Sequence, residues 1–198
     1  MKSGFVAVAG RPNVGKSTLV NALAGGKVAI VSDKPQTTRR RIFAIANGDD
    51  YQLVLADLPG FQRPLDPLTE HMQRTVDAAF EDVEGVLFVL SARERIGGGD
   101  RFIARRVFEL GVPVVIALNK VDRLKPAHIA TQMDAASRLG NFHALHPVSA
   151  KTGDGIAELR EELVAQTRIE SGIHSALEVT YGGALGALVT LAVFQVFG

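Results

Sequence analysis

The hydrophobic positions of this chain fall into short β-branched runs separated by segments with helical spacing. Residues 5–9 form a compact apolar run, and residues 17–24 follow with helical periodicity. Runs at 42–45 and 51–56 read as strands joined by a hairpin turn at Asn47-Gly48-Asp49-Asp50. The spacing predicts helices over 69–80, 101–110, 127–139 and 155–165, and further strands over 85–90, 112–118 and 146–148. The run Gly-Val-Leu-Phe-Val-Leu at 85–90 holds no polar side chain, which marks a strand buried on both faces. Such strands alternating with helices predict an α/β fold with a mostly parallel sheet covered by helices on both faces. The hairpin adds one antiparallel edge strand. No internal repeat or low-complexity segment interrupts the alternation.

Composition narrows the classes further. Hydrophobic residues make up 46% and charged residues 22%, which supports a core and excludes a disordered or fibrous chain. The formal charge is +1, so the chain as a whole carries no electrostatic signature of a nucleic-acid or anionic-membrane binder. With no cysteine, disulfides, thiolate metal sites and cysteine nucleophiles are excluded. The first residues lack the long apolar core of a secretory signal, so a cytoplasmic protein is expected. The five histidines, at 71, 128, 143, 146 and 174, show no metal-ligand spacing.

The end of the chain departs from this pattern. No charged residue follows Glu178, and the apolar run 179–198 just reaches the length a helix needs to cross a hydrocarbon core. The expected division is therefore a globular domain at 3–167 and an atypical apolar tail at 168–198. Three readings of the tail stand open. It is a tail anchor, with Gly182 and Gly186 at the spacing of close-packed membrane helices. It is a helix buried on the domain or on a second copy of the chain. Or it is the altered end of a shortened relative. No Lys or Arg follows Arg168, so the flanking signals of an anchor are poor.

The chemistry is concentrated between the strands and the segments that follow them. Gly10-Arg11-Pro12-Asn13-Val14-Gly15-Lys16-Ser17 matches G-x-x-x-x-G-K-[ST] between a predicted strand and a predicted helix. Its glycines let successive amide N–H groups face one point, and the helix N-terminus adds positive potential, which together make a phosphate cradle. Lys16 would reach the β- and γ-phosphates, and the Ser17 hydroxyl would bind Mg²⁺. Asp57-Leu-Pro-Gly60 follows the strand 51–56, where a carboxylate serves the Mg²⁺ ion and the Gly60 N–H can report the γ-phosphate. Asn119-Lys120-Val-Asp122 follows the strand 112–118. A carboxylate there accepts the adjacent N1–H and N2 amine of guanine, a donor pair adenine lacks. Leaving such a group unpaired rejects the wrong base by a factor on the order of 10⁴. Asn119 either holds the O6/N7 side of the base or braces the loops, and the Lys120 stem lies over the base. At Ser149-Ala150-Lys151, backbone N–H groups can meet the guanine carbonyl. In the polar stretch 32–39, a threonine hydroxyl would reach Mg²⁺ when the γ-phosphate is present; Thr38 is the first choice and Thr37 the second.

These motifs, with Thr18 closing the first and Pro35-Gln-Thr-Thr-Arg39 preceding the second strand, resemble the Era-like branch of the translation-factor-related P-loop GTPases. The resemblance spans about residues 3–167. It implies a P-loop NTPase fold, GTP and GDP as ligands with Mg²⁺, slow GTP hydrolysis, and a role in small ribosomal subunit assembly. On that reading Lys16, Thr38 and Gly60 carry catalysis, and Ser17, Thr38 and Asp57 hold the metal. In several relatives a P-loop asparagine, matching Asn13, helps hold a K⁺ ion beside the phosphates. Phe61 stands where Ras-type enzymes have the glutamine that orients water, which implies weak intrinsic turnover.

The family also implies a KH-type RNA-binding domain after the GTPase domain. Residues 166–198 are too few for one, and Gly182, Gly183 and Gly186 have no basic neighbours, so the KH domain is expected to be missing and rRNA contact weakened. The alternative function is a nucleotide-dependent binding module held at a membrane or in an oligomer by 179–198. Arg39, Arg40 and Arg41 read more readily as a solvated face than as an RNA contact.

Overall fold

The computed structural model describes residues 2–27, 42–57 and 83–167. Its elements run β1 (Lys2–Ala9), α1 (Lys16–Ala24), β2 (Ile42–Asn47), β3 (Tyr51–Asp57), β4 (Gly85–Ser91), α2 (Gly98–Phe108), β5 (Val114–Asn119), α3 (Pro126–Ser137) and β6 (Ala144–Val148). A further helix, α4, covers 156–167. The expected helix at 69–80, the stretch 32–39 with Thr37 and Thr38, Gly60, Phe61 and the tail 168–198 lie outside the described residues.

The six strands form one sheet in the order β2-β3-β1-β4-β5-β6. β1 is parallel to both β3 and β4, and β4–β5 and β5–β6 are parallel. β2 alone runs antiparallel, paired to β3 from Ile42↔Asp57 to Asn47↔Gln52. This is the expected sheet: mostly parallel, with one antiparallel strand at an edge.

Strand side chains point alternately to opposite faces, and each face is closed by its own helices. Val6 and Val8 of β1, Leu87 and Val89 of β4, and Val115 and Ala117 of β5 join Leu19, Val20 and Leu23 of α1 and Leu159 and Leu163 of α4 in one core. The intervening residues Ala7 and Ala9, Phe88 and Leu90, and Ile116 and Leu118 join Ile103 and Val107 of α2 and Ala136 of α3 in the other. Both faces of β4 and β5 are therefore dry, which is why their sequences carry no alternation.

Several boundaries differ from the sequence expectation, and three of them bear on local chemistry. α2 starts at Gly98 rather than near 101. The glycines at 97–99 argue against a helix by propensity, but the Asp100 carboxylate accepts the Gly97 N–H at 2.9 Å and caps the turn. β5 starts at Val114 rather than 112, because Pro113 has no N–H to give the ladder. β6 starts at Ala144 and includes Pro147, which an edge strand tolerates.

Candidate functional site

In a parallel sheet of this kind, ligands bind beyond the C-terminal strand ends, near the point where the strand order reverses. Here the chain leaves β1 toward β3 on one side, and β4, β5 and β6 extend on the other, so β1 occupies that point. The sequence motifs within the described residues all lie at this edge. The segment Gly10–Gly15 links β1 to α1, Asp57 closes β3, Asn119 closes β5 with Lys120 and Asp122 just beyond, and Ser149, Ala150 and Lys151 follow β6.

Two glycines are dictated by close approach. Gly15 has φ 98°, and a Cβ there would come within 2.4 Å of the Asn119 amide nitrogen. Gly10 has φ 153°, and its Cβ would come within 2.5 Å of the Val89 carbonyl oxygen. Asn13, Lys120 and Arg123 also adopt positive φ (63°, 70° and 69°). All three stand in the two loops after β1 and β5, and backbone strain of this kind gathers where a site over-determines the chain.

The first loop buries a cation. Lys16 is 7% exposed, and its ammonium donates to the carbonyls of Gly10 at 3.1 Å and Arg11 at 3.0 Å. Burial lowers its pKa to about 8, although Asp57 pulls the other way. At the next position, Ser17 Oγ donates to Asp57 Oδ2 at 2.6 Å across the α1–β3 junction. A hydroxyl and a carboxylate in contact, beside a buried ammonium, form the oxygen donor set that suits Mg²⁺ carried by a polyphosphate. The residues present therefore fit that ion. Thr18 lies half-buried on α1, and Val14 is fully buried in the core below the loop. Asn13 is exposed.

Arg11 anchors the loop sideways. Its Nε donates to Asp100 Oδ1 at 2.7 Å and its Nη2 to Glu94 Oε2 at 3.0 Å. The Asp100 side chain is 2% exposed, so this contact ties the loop to the capped start of α2. Nothing in the motif spacing foretells it.

The second loop is joined to the first by Asn119. Its Nδ2 donates to the Val14 carbonyl at 3.0 Å, and its Oδ1 accepts the Ala150 N–H at 3.0 Å. Both ends of this amide brace loops, which is one of the two roles the sequence leaves open. Lys120 adds a bond from Nζ to the Asn13 carbonyl. Asp122 receives Ser149 Oγ on Oδ1 at 3.0 Å and Arg93 Nη2 on Oδ2 at 3.1 Å. Ser149 Oγ in turn accepts the Thr152 N–H at 3.2 Å. The sequence pointed to Ser149 for its backbone, whereas the structure also uses its hydroxyl. Lys151 stands exposed in the turn after β6.

Comparison with known proteins agrees with this arrangement. A family profile described as "50S ribosome-binding GTPase" matches residues 5–120. The chain is 47% identical over 158 residues to GTPase Era of Lactobacillus helveticus, an alignment covering 80% of this chain and 52% of that protein. It is 42% identical over 163 residues to GTPase Era of Clostridium perfringens, covering 82% and 55%. The chain thus spans about half the length of the curated relatives it matches. Among solved structures, Era in complex with MgGDPNP and nucleotides 1506–1542 of 16S ribosomal RNA superposes with a TM-score of 0.79 at 33% identity, over 84% of this chain and 57% of that one. An Aquifex aeolicus Era variant bound to GDP·AlF4⁻ gives the same values.

Proposed function

The chain belongs to the 50S ribosome-binding GTPase family, and we propose that it is a guanine-nucleotide switch that hydrolyses GTP slowly and serves small ribosomal subunit assembly. The observation that carries this reading is the meeting of two clusters at one sheet edge. Lys16, Ser17 and Asp57 suit a Mg²⁺-bound polyphosphate, and Asp122 presents a carboxylate where a base would lie, with Asn119 holding the two loops in register.

On this reading residues 3–167 form the nucleotide-binding unit. The amides of Gly10, Arg11, Pro12's neighbour Asn13, Val14 and Gly15 line the phosphate cradle, and Thr18 supports it from the first turn of α1. Lys16 neutralises charge that grows on the β–γ bridge, and Ser17 and Asp57 hold the metal. Mg²⁺, when bound, draws charge from the phosphate oxygens and fixes their geometry. Asp122 accepts the two guanine donors, Lys120 covers the base with its stem, and the turn Ser149-Ala150-Lys151 faces the carbonyl side, its Ser149 and Ala150 N–H groups already donating to Asp154 and Asn119. Thr38 and Gly60 complete the γ-phosphate sensor, and Asn13 is the residue for a K⁺ ion.

The ribosomal role draws support from the kinship with Era, one structure of which holds MgGDPNP and a 16S rRNA segment. Phosphate release from GTP, measured in potassium and in sodium buffer, tests the enzymatic half. Slow release that rises in potassium is expected; no release in either buffer would refute it. Co-sedimentation with small ribosomal subunits, with GTP against GDP, tests the second half. Nucleotide-dependent pelleting is expected, and none in either state would refute the ribosomal role.

A further inference from the structure

We propose that Arg93 is a positioning residue for base recognition, acting through the Asp122 carboxylate. The inference rests on the reading of Asp122 as the group that selects guanine. Arg93 follows the end of β4, which is locked to the end of β5: Ser91 pairs with Asn119, and the Ala92 N–H donates to the Asn119 carbonyl at 2.8 Å. The His128 ring nitrogen lies 3.2 Å from the Ala92 carbonyl and steadies the same turn from α3. Arg93 is thereby delivered to the outer side of Asp122, where its Nη2 donates to Oδ2 at 3.1 Å.

A carboxylate offers about four lone-pair positions on its two oxygens. Ser149 takes one on Oδ1 and Arg93 one on Oδ2. One acceptor position then remains on each oxygen, side by side, which is what the N1–H and N2 amine of guanine require. The carboxylate is held by two donors, one on each oxygen, and Ser149 is itself held by the Thr152 N–H. With Ser149 alone, the group could swing about a single bond and lose the paired geometry.

The burial is lopsided. The Asp122 side chain is 9% exposed and that of Arg93 is 47% exposed. An ion pair with an open partner adds little to folding, so the effect of Arg93 belongs to base selection rather than to stability.

The experiment measures the affinities of GDP and inosine diphosphate, which lacks the 2-amino group, for the parent and for Arg93→Ala, Arg93→Gln and Arg93→Lys. Arg93→Ala is expected to weaken GDP by about tenfold, the scale of one lost hydrogen bond to a charged group, and to reduce the preference for GDP over inosine diphosphate several-fold. Arg93→Gln should follow Arg93→Ala, while Arg93→Lys, still a cationic donor, should recover most of both; the melting temperatures should stay together. If Arg93→Ala and Arg93→Gln keep the parent's GDP affinity and preference within about twofold while the parent prefers GDP to ADP, the Arg93 proposal alone is overturned. If the parent shows no preference for GDP over ADP, the reading of Asp122 falls, and the role of Arg93 with it.

Discussion

The side-chain amide of Asn119 donates to the Val14 carbonyl, 105 positions earlier in the chain, at 3.0 Å. Its other end accepts the Ala150 N–H, so one buried residue spans three loops that approach from three strands. Asn119 is 1% exposed, and its removal would leave the buried Val14 carbonyl and the half-buried Ala150 N–H without their partner. Asn119→Ala should therefore cost about 1–3 kcal/mol of folding stability and weaken guanine nucleotide binding by at least tenfold. Thermal melting and equilibrium binding on the same preparation check both halves.

Gly15 approaches the same amide nitrogen. Gly15→Ala would place a methyl 2.4 Å from Asn119 Nδ2 at a φ of 98°. The strain at such a position is on the order of 1–3 kcal/mol, and relief requires the Asn119 brace to move. Loss of nucleotide binding with a folded, less stable domain is the expected outcome. A variant that binds GDP like the parent would show that the loops do not need this close approach.

Lys16 ties binding to pH. Burial lowers its pKa to about 8 from 10.5, with Asp57 opposing. Between these two values the unfolded chain binds the proton more tightly than the folded one, so folding stability contributed by this group rises with pH. Nucleotide binding has the opposite sign, since the phosphates favour the charged ammonium. GDP affinity should be flat below about pH 8 and fall above it, by up to about tenfold per pH unit. Calorimetry in buffers of different ionisation heat should show proton uptake above pH 8. Affinity that stays flat to pH 10 would contradict a phosphate-facing Lys16.

Much of this site was legible in the sequence, and the reason is distance along the chain. The cradle Gly10–Ser17 is contiguous, so its spacing alone fixes which atoms converge. Asp57 closes an apolar strand and Asp122 lies three positions past the end of another, and parallel strands send such ends to one edge. What stayed hidden depends on partners far apart in sequence. The bonds from Arg11 to Asp100 and from Arg93 to Asp122 leave no periodic trace. The Ser149 hydroxyl is not foretold, because its partner Asp122 stands 27 positions away with no periodic link. α2 starts earlier than its spacing predicts because the Asp100 cap outweighs three glycines of poor helix propensity.

Base identity can be turned over by one atom. Asp122→Asn exchanges an acceptor for a donor on the side facing the base. Xanthine carries a carbonyl where guanine has the 2-amino group, so it complements the amide. Binding of GDP should fall by about 10²-fold or more, the scale expected when buried polar partners are mismatched, and xanthosine diphosphate should gain. Competition binding with both nucleotides checks this. Equal loss of both would mean that the substitution damages the loop rather than changing its reading.

The central claim is that this sheet edge grips a polyphosphate through Lys16 and Ser17 and chooses its purine through Asp122. Titration calorimetry of the whole chain with GDP and with ADP, each with Mg²⁺ present, tests it most directly. The account predicts saturable binding of GDP and a discrimination against ADP of about 10⁴-fold or more. Equal affinity for the two nucleotides, or no heat with either, would contradict it.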